Sequence, residues 1–522
     1  MLSKKILINQ INELLPRLLT QLDRDPLSPT YGCFDRNYWH YKIRDFPSFV
    51  LQQNVLTLAL LYKNNFKGNF CYHNENIFEY IKASINFWCE SQNKSGGFDE
   101  YWPNEDGYPP LVFSFYAVTR AYRELDMNDQ KVLGHFELSY QRWLRHVETQ
   151  AKNQEMAGLA AACQYYLITG RKDVKKSLTL RLNSILKTQD PEGWFAEYGG
   201  ADIGYSSVLL HYLTDIQENL KSQKLKKSII KLVNFLSYFV HPDGTSGGEY
   251  GSRNTEYFLF KGLVSSSVYS DKSAQMIQGL NWSLSNIDDR YLFHYIFYSY
   301  VEGAILLLNK HKDLLKIKNQ NNKNFKKYFK NSGLYVFKSN NLFFVSNLKK
   351  GGVYKFYKNK KIISQDSGYR VPTKTKNKFL TNAWINRETL IIFGKNKEEF
   401  SLKTNFYINQ FFSPTPLKHI ILRIISLFFG SKLIGSLKKV LIFQDKKSQM
   451  IFKRKYMFKK NNLTIIDTFD SFFKNSIIYK LVVGAIRFVP SANFFNKSSL
   501  PLKIFSKHKI DQKNQLVNSI KF

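Results

Sequence analysis

The hydrophobic period of this chain changes once, and that change divides it. Through residues 1–310 apolar side chains recur at i, i+3 and i+4 in about a dozen helix-length segments, among them 47–62, 77–89, 110–125, 131–149, 157–168, 174–186, 205–213, 225–239 and 291–308. Beyond residue 330 the runs become short and rich in β-branched and aromatic residues: Gly333-Leu334-Tyr335-Val336-Phe337, Leu342-Phe343-Phe344-Val345, Val353-Tyr354-Lys355-Phe356-Tyr357, Leu390-Ile391-Ile392-Phe393, Val440-Leu441-Ile442-Phe443 and Leu463-Thr464-Ile465-Ile466-Asp467. Each amphipathic hairpin must bury its stripe against the next. The first part is therefore expected to close into an α/α toroid of about six helical hairpins, with an open solenoid as the alternative. The second part is expected to be a twisted antiparallel β-sandwich. The expected division is a toroid over 1–310, a linker over 311–327 and a sandwich over 328–522.

Charge divides at the same place. Residues 311–522 hold 43 Lys+Arg against 9 Asp+Glu, whereas residues 1–310 hold 33 against 32. Lys at alternate positions, as in Phe452-Lys453-Arg454-Lys455-Tyr456, predicts a solvent face and accounts for part of the excess. A field of this sign attracts polyanions: an acidic polysaccharide or anionic lipid. Nucleic acid is not expected as a partner, since no DNA- or RNA-binding motif is present. The four cysteines, Cys33, Cys71, Cys89 and Cys163, have no metal-ligand spacing and read as buried thiols. No metal or cofactor is expected. P-loop, GxGxxG and HExxH patterns are missing, which disfavours nucleotide-dependent and zinc-protease chemistry.

No signal-peptide run is legible, so a cytoplasmic protein is expected, with peripheral contact to the inner membrane. The segment that raises this contact is 420–437, IILRIISLFFGSKLIGSL, followed by Lys438-Lys439. It suits an interfacial helix on an anionic surface and equally a buried helix over one face of a sheet.

Three turns between helical patterns share glycines, aromatics and a carboxylate: Ser95-Gly96-Gly97-Phe98-Asp99-Glu100-Tyr101-Trp102, Gly193-Trp194-Phe195-Ala196-Glu197-Tyr198-Gly199-Gly200 and Asp243-Gly244-Thr245-Ser246-Gly247-Gly248-Glu249-Tyr250-Gly251. Rings beside carboxylates at the mouths of hairpins suit a sugar-stacking cleft; they also suit caps on a helical core. A further dense block, Asp35, Arg36, Trp39, His40, Arg44 and Asp45, reads as either a salt-bridge lattice or a substrate wall. Candidate substrate-binding residues are Trp39, His40, Glu100, Trp102, Trp194, Glu197, Tyr198 and Tyr205.

Taken together, Gly97-Phe98-Asp99-Glu100 with Pro103-Asn104-Glu105, His241-Pro242-Asp243-Gly244 running into Gly251-Ser252-Arg253-Asn254-Thr255, and Tyr328-Phe329…Gly333-Leu334-Tyr335-Val336 with Ile362…Asp366-Ser367-Gly368-Tyr369 make the chain resemble the heparinase II/III type of polysaccharide lyase and its epimerase relatives. The block from Tyr31 to His40 resembles proteins encoded beside bacterial surface-polysaccharide genes. The resemblance implies a toroid plus β-sandwich acting on an acidic polysaccharide or lipid-linked glycan by lyase-like or epimerase-like proton abstraction. Lyases of this group usually carry a histidine-rich strand early in the β domain; residues 353–368 contain no histidine. A non-catalytic glycan-binding or assembly factor is therefore an alternative reading.

Abstracting the proton α to a uronate carboxylate requires a charge clamp, a base and an acid for the leaving oxygen. The candidates are Arg253 and Asn254 as clamp, Tyr250 or Tyr257 as base and acid, and His241 assisting. The same residues also suit a helix cap, with Arg253 paired to Glu249. A glycosidase would instead need two opposed carboxylates, for which Asp99, Glu100, Glu105, Glu197 and Asp202 are the candidates.

Overall fold

The computed structural model describes residues 2–285, 287–316, 324–395, 398–444, 446–473, 476–482, 503, 505–510 and 513–522. Residues 317–323 of the expected linker lie outside that set.

The helices run α1 (Lys4–Gln21), α2 (Arg36–Trp39), α3 (Asn54–Lys63), α4 (Glu75–Glu90), α5 (Tyr108–Glu124), α6 (Gln130–Leu144), α7 (Lys152–Thr169), α8 (Lys172–Leu186), α9 (Ile203–Leu220), α10 (Gln223–Leu236), α11 (Phe260–Ser266), α12 (Asp271–Gly279), α13 (Asp289–Tyr291) and α14 (Phe297–Asn309), the last two joined by one π-helical turn. Burial separates them into two rings. In α8 only Val174, Leu178, Leu182 and Ile185 are buried, the single stripe of an outer helix; in α7 every residue from Glu155 to Tyr165 is buried. Helices α3, α5, α7, α9, α11 and α14 pack in that order, and α14 returns to α3. Each has one outer partner, in turn α4, α6, α8, α10, α12 and finally α1, so the first helix of the chain completes the last pair. The ring is closed, which removes the solenoid alternative.

Inside the ring a buried ionic network ties five inner helices together. Arg120 of α5 lies 2.7 Å from Asp215 of α9 and 2.8 Å from Glu302 of α14. Gln164 of α7 donates to Asp215 at 2.7 Å, and Lys261 of α11 lies 3.9 Å from both acids.

The glycines of the repeated turns have a packing role. Gly96 and Gly193 take φ of +91° and +107°, and a Cβ on either would collide with a backbone carbonyl of the following outer helix, Leu138 in α6 and Lys231 in α10. Among the described residues before 325, extended pairing is limited to isolated bridges, such as Ala151 with Glu197.

The β domain has two antiparallel sheets. The first is a meander of β1 (Phe325–Tyr328), β2 (Leu334–Ser339), β3 (Leu342–Asn347), β4 (Val353–Lys358) and β5 (Lys361–Asp366). The second comprises β6 (Tyr369–Pro372), β7 (Lys378–Thr381), β8 (Leu390–Phe393), β9 (Glu399–Gln410), β10 (Lys447–Lys459), β11 (Asn462–Phe469), β12 (Ile477–Leu481), β13 (Phe505–Lys509) and β14 (Gln515–Lys521). Its order is β13-β12-β6-β7-β9-β10-β11-β14, with β8 also on β9.

The first sheet is buried on both faces, which explains runs such as Leu342-Phe343-Phe344-Val345. Phe343, Val345, Val353 and Tyr357 belong to the toroid core. Phe344, Tyr354 and Phe356 belong to a second core shared with Phe400 and Tyr456 of the other sheet. The alternation expected in β10 holds: Lys453 is exposed, while Phe452, Arg454 and Tyr456 are buried. Arg454 is paired inside with Asp467 at 2.6 Å and Asp366 at 2.7 Å.

One expected strand is corrected. Residues 440–443 are helical: α15 (Pro416–Phe429) and α16 (Leu433–Lys438) precede them, and the turn Lys439–Phe443 continues the helix. A run of four apolar residues carries no period of its own, and here it extends a helix anchored on the toroid.

Candidate functional site at the toroid mouth

Inner helices run parallel around the ring, so the loops that precede them meet at one end. These are the segments before Asn54, Tyr108, Lys152, Ile203, Phe260 and Phe297. The β domain and residues 433–443 cover that end. The candidate residues fall into two groups with opposite character.

His241 and Tyr250 form the first group. His241 Nε2 and the Tyr250 hydroxyl are 2.9 Å apart, and that hydroxyl accepts from the Gly247 N–H at 2.8 Å. His241 Nδ1 lies 2.8 Å from Thr245 Oγ1 and 3.1 Å from the hydroxyl of Tyr357 in β4. Both residues are buried, and burial, aided by the Lys355 charge, holds His241 well below the usual histidine range. Burial likewise pushes the Tyr250 phenol well above its ordinary value. They meet each other and the β domain, not Arg253. Lys355 of β4 lies 2.8 Å from Glu256 and 3.6 Å from Glu249. Lys350 donates to the carbonyls of Glu249 and Gly251, both at 2.7 Å, and to Asn254 Oδ1. Asn254, at φ +60°, is thereby held by the β domain.

Arg253, Glu197 and Tyr198 form the second group. The Arg253 backbone N–H donates to Asp202 at 2.8 Å, fixing the residue, and its guanidinium lies 4.0 Å from the Tyr198 ring centroid. Arg253 is 5% exposed, yet Nε and Nη1 have no hydrogen-bond partner. Glu197 accepts from Asn153 at 2.7 Å through Oε2, while buried Oε1 has no partner. Burial pushes its carboxyl up to about 8 against the opposing charge of Arg253. Gln164 Oε1 and Glu302 Oε2 inside the ring also lack partners, so what distinguishes Arg253 and Glu197 is their opposite charge at the mouth beside an aromatic ring. Residues 433–443 lie over this group: Lys438 is 3.0 Å from Glu148 and 5.9 Å from the Tyr198 ring centroid, and Phe443 is 5.6 Å from that ring.

The other candidates are distributed around the rim. Tyr257 is buried, its hydroxyl 3.4 Å from that of Tyr295, and half-buried Tyr205 meets its ring edge-on at 6.0 Å. Trp194 donates to Glu192 at 3.0 Å, and Glu192 accepts the backbone N–H groups of Asn331 and Ser332, so this ring stands at the domain junction. Trp102 is 9% exposed with an unpartnered indole N–H. Trp39 donates to the Gln21 carbonyl at 2.8 Å, and exposed His40 packs edge-on against it. The first block is largely a lattice, because Asp35 accepts from Arg44 at 2.6 Å and from the Ser48 N–H at 2.9 Å.

The paired-carboxylate alternative loses most of its members to turn closure. Asp99 accepts from the N–H groups of Asn104 and Asp106, and Glu105 from those of Glu100 and Tyr101. Glu100 accepts from Ser48 at 2.7 Å, and Asp202 from Tyr205 and Arg253. Glu197 alone of these five keeps a buried oxygen without a partner.

Sequence reasoning missed Asn153, Glu148, Lys350, Lys355 and Lys438. They come from other hairpins or the other domain, and no local pattern ties them to the 241–257 loop.

No family model matches this sequence, and no curated protein matches it. Among solved structures, a Paenibacillus xanthan lyase superposes on 92% of this chain with a TM-score of 0.54 and 9% identity; this chain spans 46% of it, about half its length. The chondroitin AC lyase of Streptomyces coelicolor A3, in complex with chondroitin sulphate, superposes on 91% of this chain and 68% of its own, with a TM-score of 0.59 and 7% identity. Heparinase III is matched over 90% of this chain at a TM-score of 0.49 and 10% identity, too loose a superposition to carry an argument. At such identities the likeness concerns fold alone: the chain has the α/α-toroid plus antiparallel β-sandwich architecture of the polysaccharide lyases.

Proposed function

We propose that this protein is a carbohydrate-active enzyme acting on a uronate-bearing acidic polysaccharide, or on a lipid-linked glycan of that chemistry, at the cytoplasmic face of the membrane during surface-polysaccharide assembly. The observation that carries the proposal is the pair of unpartnered Arg253 nitrogens beside the unpartnered Glu197 oxygen at the toroid mouth. A guanidinium with two free N–H groups suits a carboxylate, and neutralising that carboxylate acidifies the neighbouring C–H. Glu197, with its carboxyl raised to about 8, is a stronger base once ionised than an ordinary glutamate. In elimination, ionised Glu197 takes the α proton, the C–O bond to the leaving sugar breaks as the C=C bond forms, and the same carboxyl returns the proton to the leaving oxygen. In epimerisation no C–O bond breaks: water protonates the carbanion on its opposite face, and the proton taken by Glu197 returns to solvent. Both routes require residues 433–443 to move aside. The basic β domain supplies the long-range attraction for the polyanion.

A second reading, a non-catalytic glycan-binding or assembly factor, is favoured by one observation: His241, Tyr250, Thr245 and Tyr357 satisfy one another, which withdraws His241 from proton transfer. A panel of uronate polysaccharides separates the readings. The enzyme reading expects either the ultraviolet absorbance of an unsaturated uronate or deuterium uptake from heavy water at the α carbon, each lost in Arg253→Ala. Arg253-dependent binding with neither signal selects the second reading. No Arg253-dependent binding at all rejects both.

A further inference from the structure

We propose that residues 416–443 are a membrane-docking element that seats the toroid mouth on an anionic lipid surface. Strands β9 and β10 are antiparallel neighbours that a short turn could join, yet the connection runs from residue 411 to 446 and contains two helices. The burial of α15 is inverted relative to an ordinary surface helix. Its one fully buried residue is Ser426, while Leu417, Ile420, Ile424, Leu427 and Phe428 are 66%, 54%, 54%, 59% and 80% exposed. Exposed apolar surface of this extent marks an interaction site.

Charge identifies the occupant. The chain from residue 400 to 444 contains six Lys or Arg and no Asp or Glu. Lys418, Lys432 and Lys439, which make no ion pair among the described residues, flank or interrupt the apolar surface, the arrangement of a helix lying at an anionic headgroup boundary. The helical stretch Pro416–Leu441 is long and apolar enough to cross a membrane, but it is broken at Gly430, φ +45°, and α15 alone has 14 residues, about 21 Å at 1.5 Å per residue, short of the ~30 Å hydrocarbon core. That glycine sits against the backbone of Asn104, where a Cβ would collide. With the ion pairs Arg423–Asp45 and Lys438–Glu148, this contact fixes the element to the rim of the mouth. A docked membrane therefore lies beside the Arg253 group.

The test is co-sedimentation of the full chain with phosphatidylglycerol-containing vesicles, with pure phosphatidylcholine vesicles, and with neither. Binding is expected only to the anionic vesicles, with release at high salt and at least tenfold weaker binding for the triple variant Ile420→Ser, Ile424→Ser, Phe428→Ser. The variant should keep its melting temperature, because the three side chains are exposed. All four native cysteines are buried. Phe428→Cys labelled with a polarity-sensitive fluorophore should therefore shift to the blue on anionic vesicles. Absence of binding to anionic vesicles, equal binding by the triple variant, or lipid-free self-association abolished by that variant would each overturn the proposal, the last assigning the face to a second copy of the chain. This readout involves no catalysis, so it stands or falls separately from the proposed chemistry.

Discussion

The two halves of the 241–257 loop contain the same kinds of residue and differ in what those residues face. His241 and Tyr250 lie under the first β-sheet and find Thr245, Tyr357 and the Gly247 N–H within 3.1 Å. A few residues later Arg253 turns to the mouth, stacks on Tyr198 and leaves two nitrogens unpaired. Chemically apt side chains are therefore insufficient evidence of a site. A buried group whose bonds are complete serves the scaffold; a charged group at the mouth whose bonds are incomplete is a candidate for a ligand.

Substitutions on the two sides should differ in what they cost. The largest expected effect is from Arg253→Ala, which removes the carboxylate clamp: kcat/KM on a uronate glycan should fall by about 10² or more with the fold retained, as judged by circular dichroism. Glu197→Gln should cost about 10² in kcat and abolish the rise of activity with pH that is expected of the wild type through about pH 8. The same substitution has a stability signature. The folded carboxyl value, about 8, lies above the ordinary 4.5, so folding favours the protonated form. Its contribution is intact below pH 4.5 and is lost as the pH rises through 8. Wild type should therefore lose melting temperature relative to Glu197→Gln across that interval, by roughly 1–1.5 °C for each kcal/mol.

Smaller effects are expected on the closed side. His241→Ala leaves the Tyr250 and Tyr357 hydroxyls without their shared partner and should cost about 1–3 kcal/mol in denaturant unfolding, with only a few-fold change in kcat. Lys438→Ala removes the pairing to Glu148 and loosens the cover over Tyr198. Stopped-flow binding should show a glycan association rate raised by less than tenfold, with no loss of kcat.

Much of the fold was legible because period is a local property. The stripe of Val174, Leu178 and Leu182 and the alternation around Arg454 can be read without a partner. Val440-Leu441-Ile442-Phe443 was misread as a strand because four apolar residues fit either period, and the helix they extend is anchored by Arg423 to Asp45, far away in sequence. The site was less legible. Arg253, Glu197 and Tyr198 were named from composition, but their grouping depends on Asn153, and their separation from His241 depends on Tyr357 and Lys350, supplied by another hairpin and another domain. The direction in which α15 faces was also undetermined. Its sequence suits burial or a membrane surface equally, and the exposed positions of Ile424 and Phe428 remove the buried reading.

The most direct test of the account compares Arg253→Ala with Tyr250→Phe on one uronate polysaccharide, reading kcat/KM, or Kd where turnover is absent, together with melting temperature. The account predicts a loss of about 10² or more for Arg253→Ala at near-native melting temperature. For Tyr250→Phe it predicts a lowered melting temperature and activity within a few-fold of wild type. Abolished turnover in a fully folded Tyr250→Phe, with Arg253→Ala close to wild type, would contradict it and return the chemistry to the His241–Tyr250 pair.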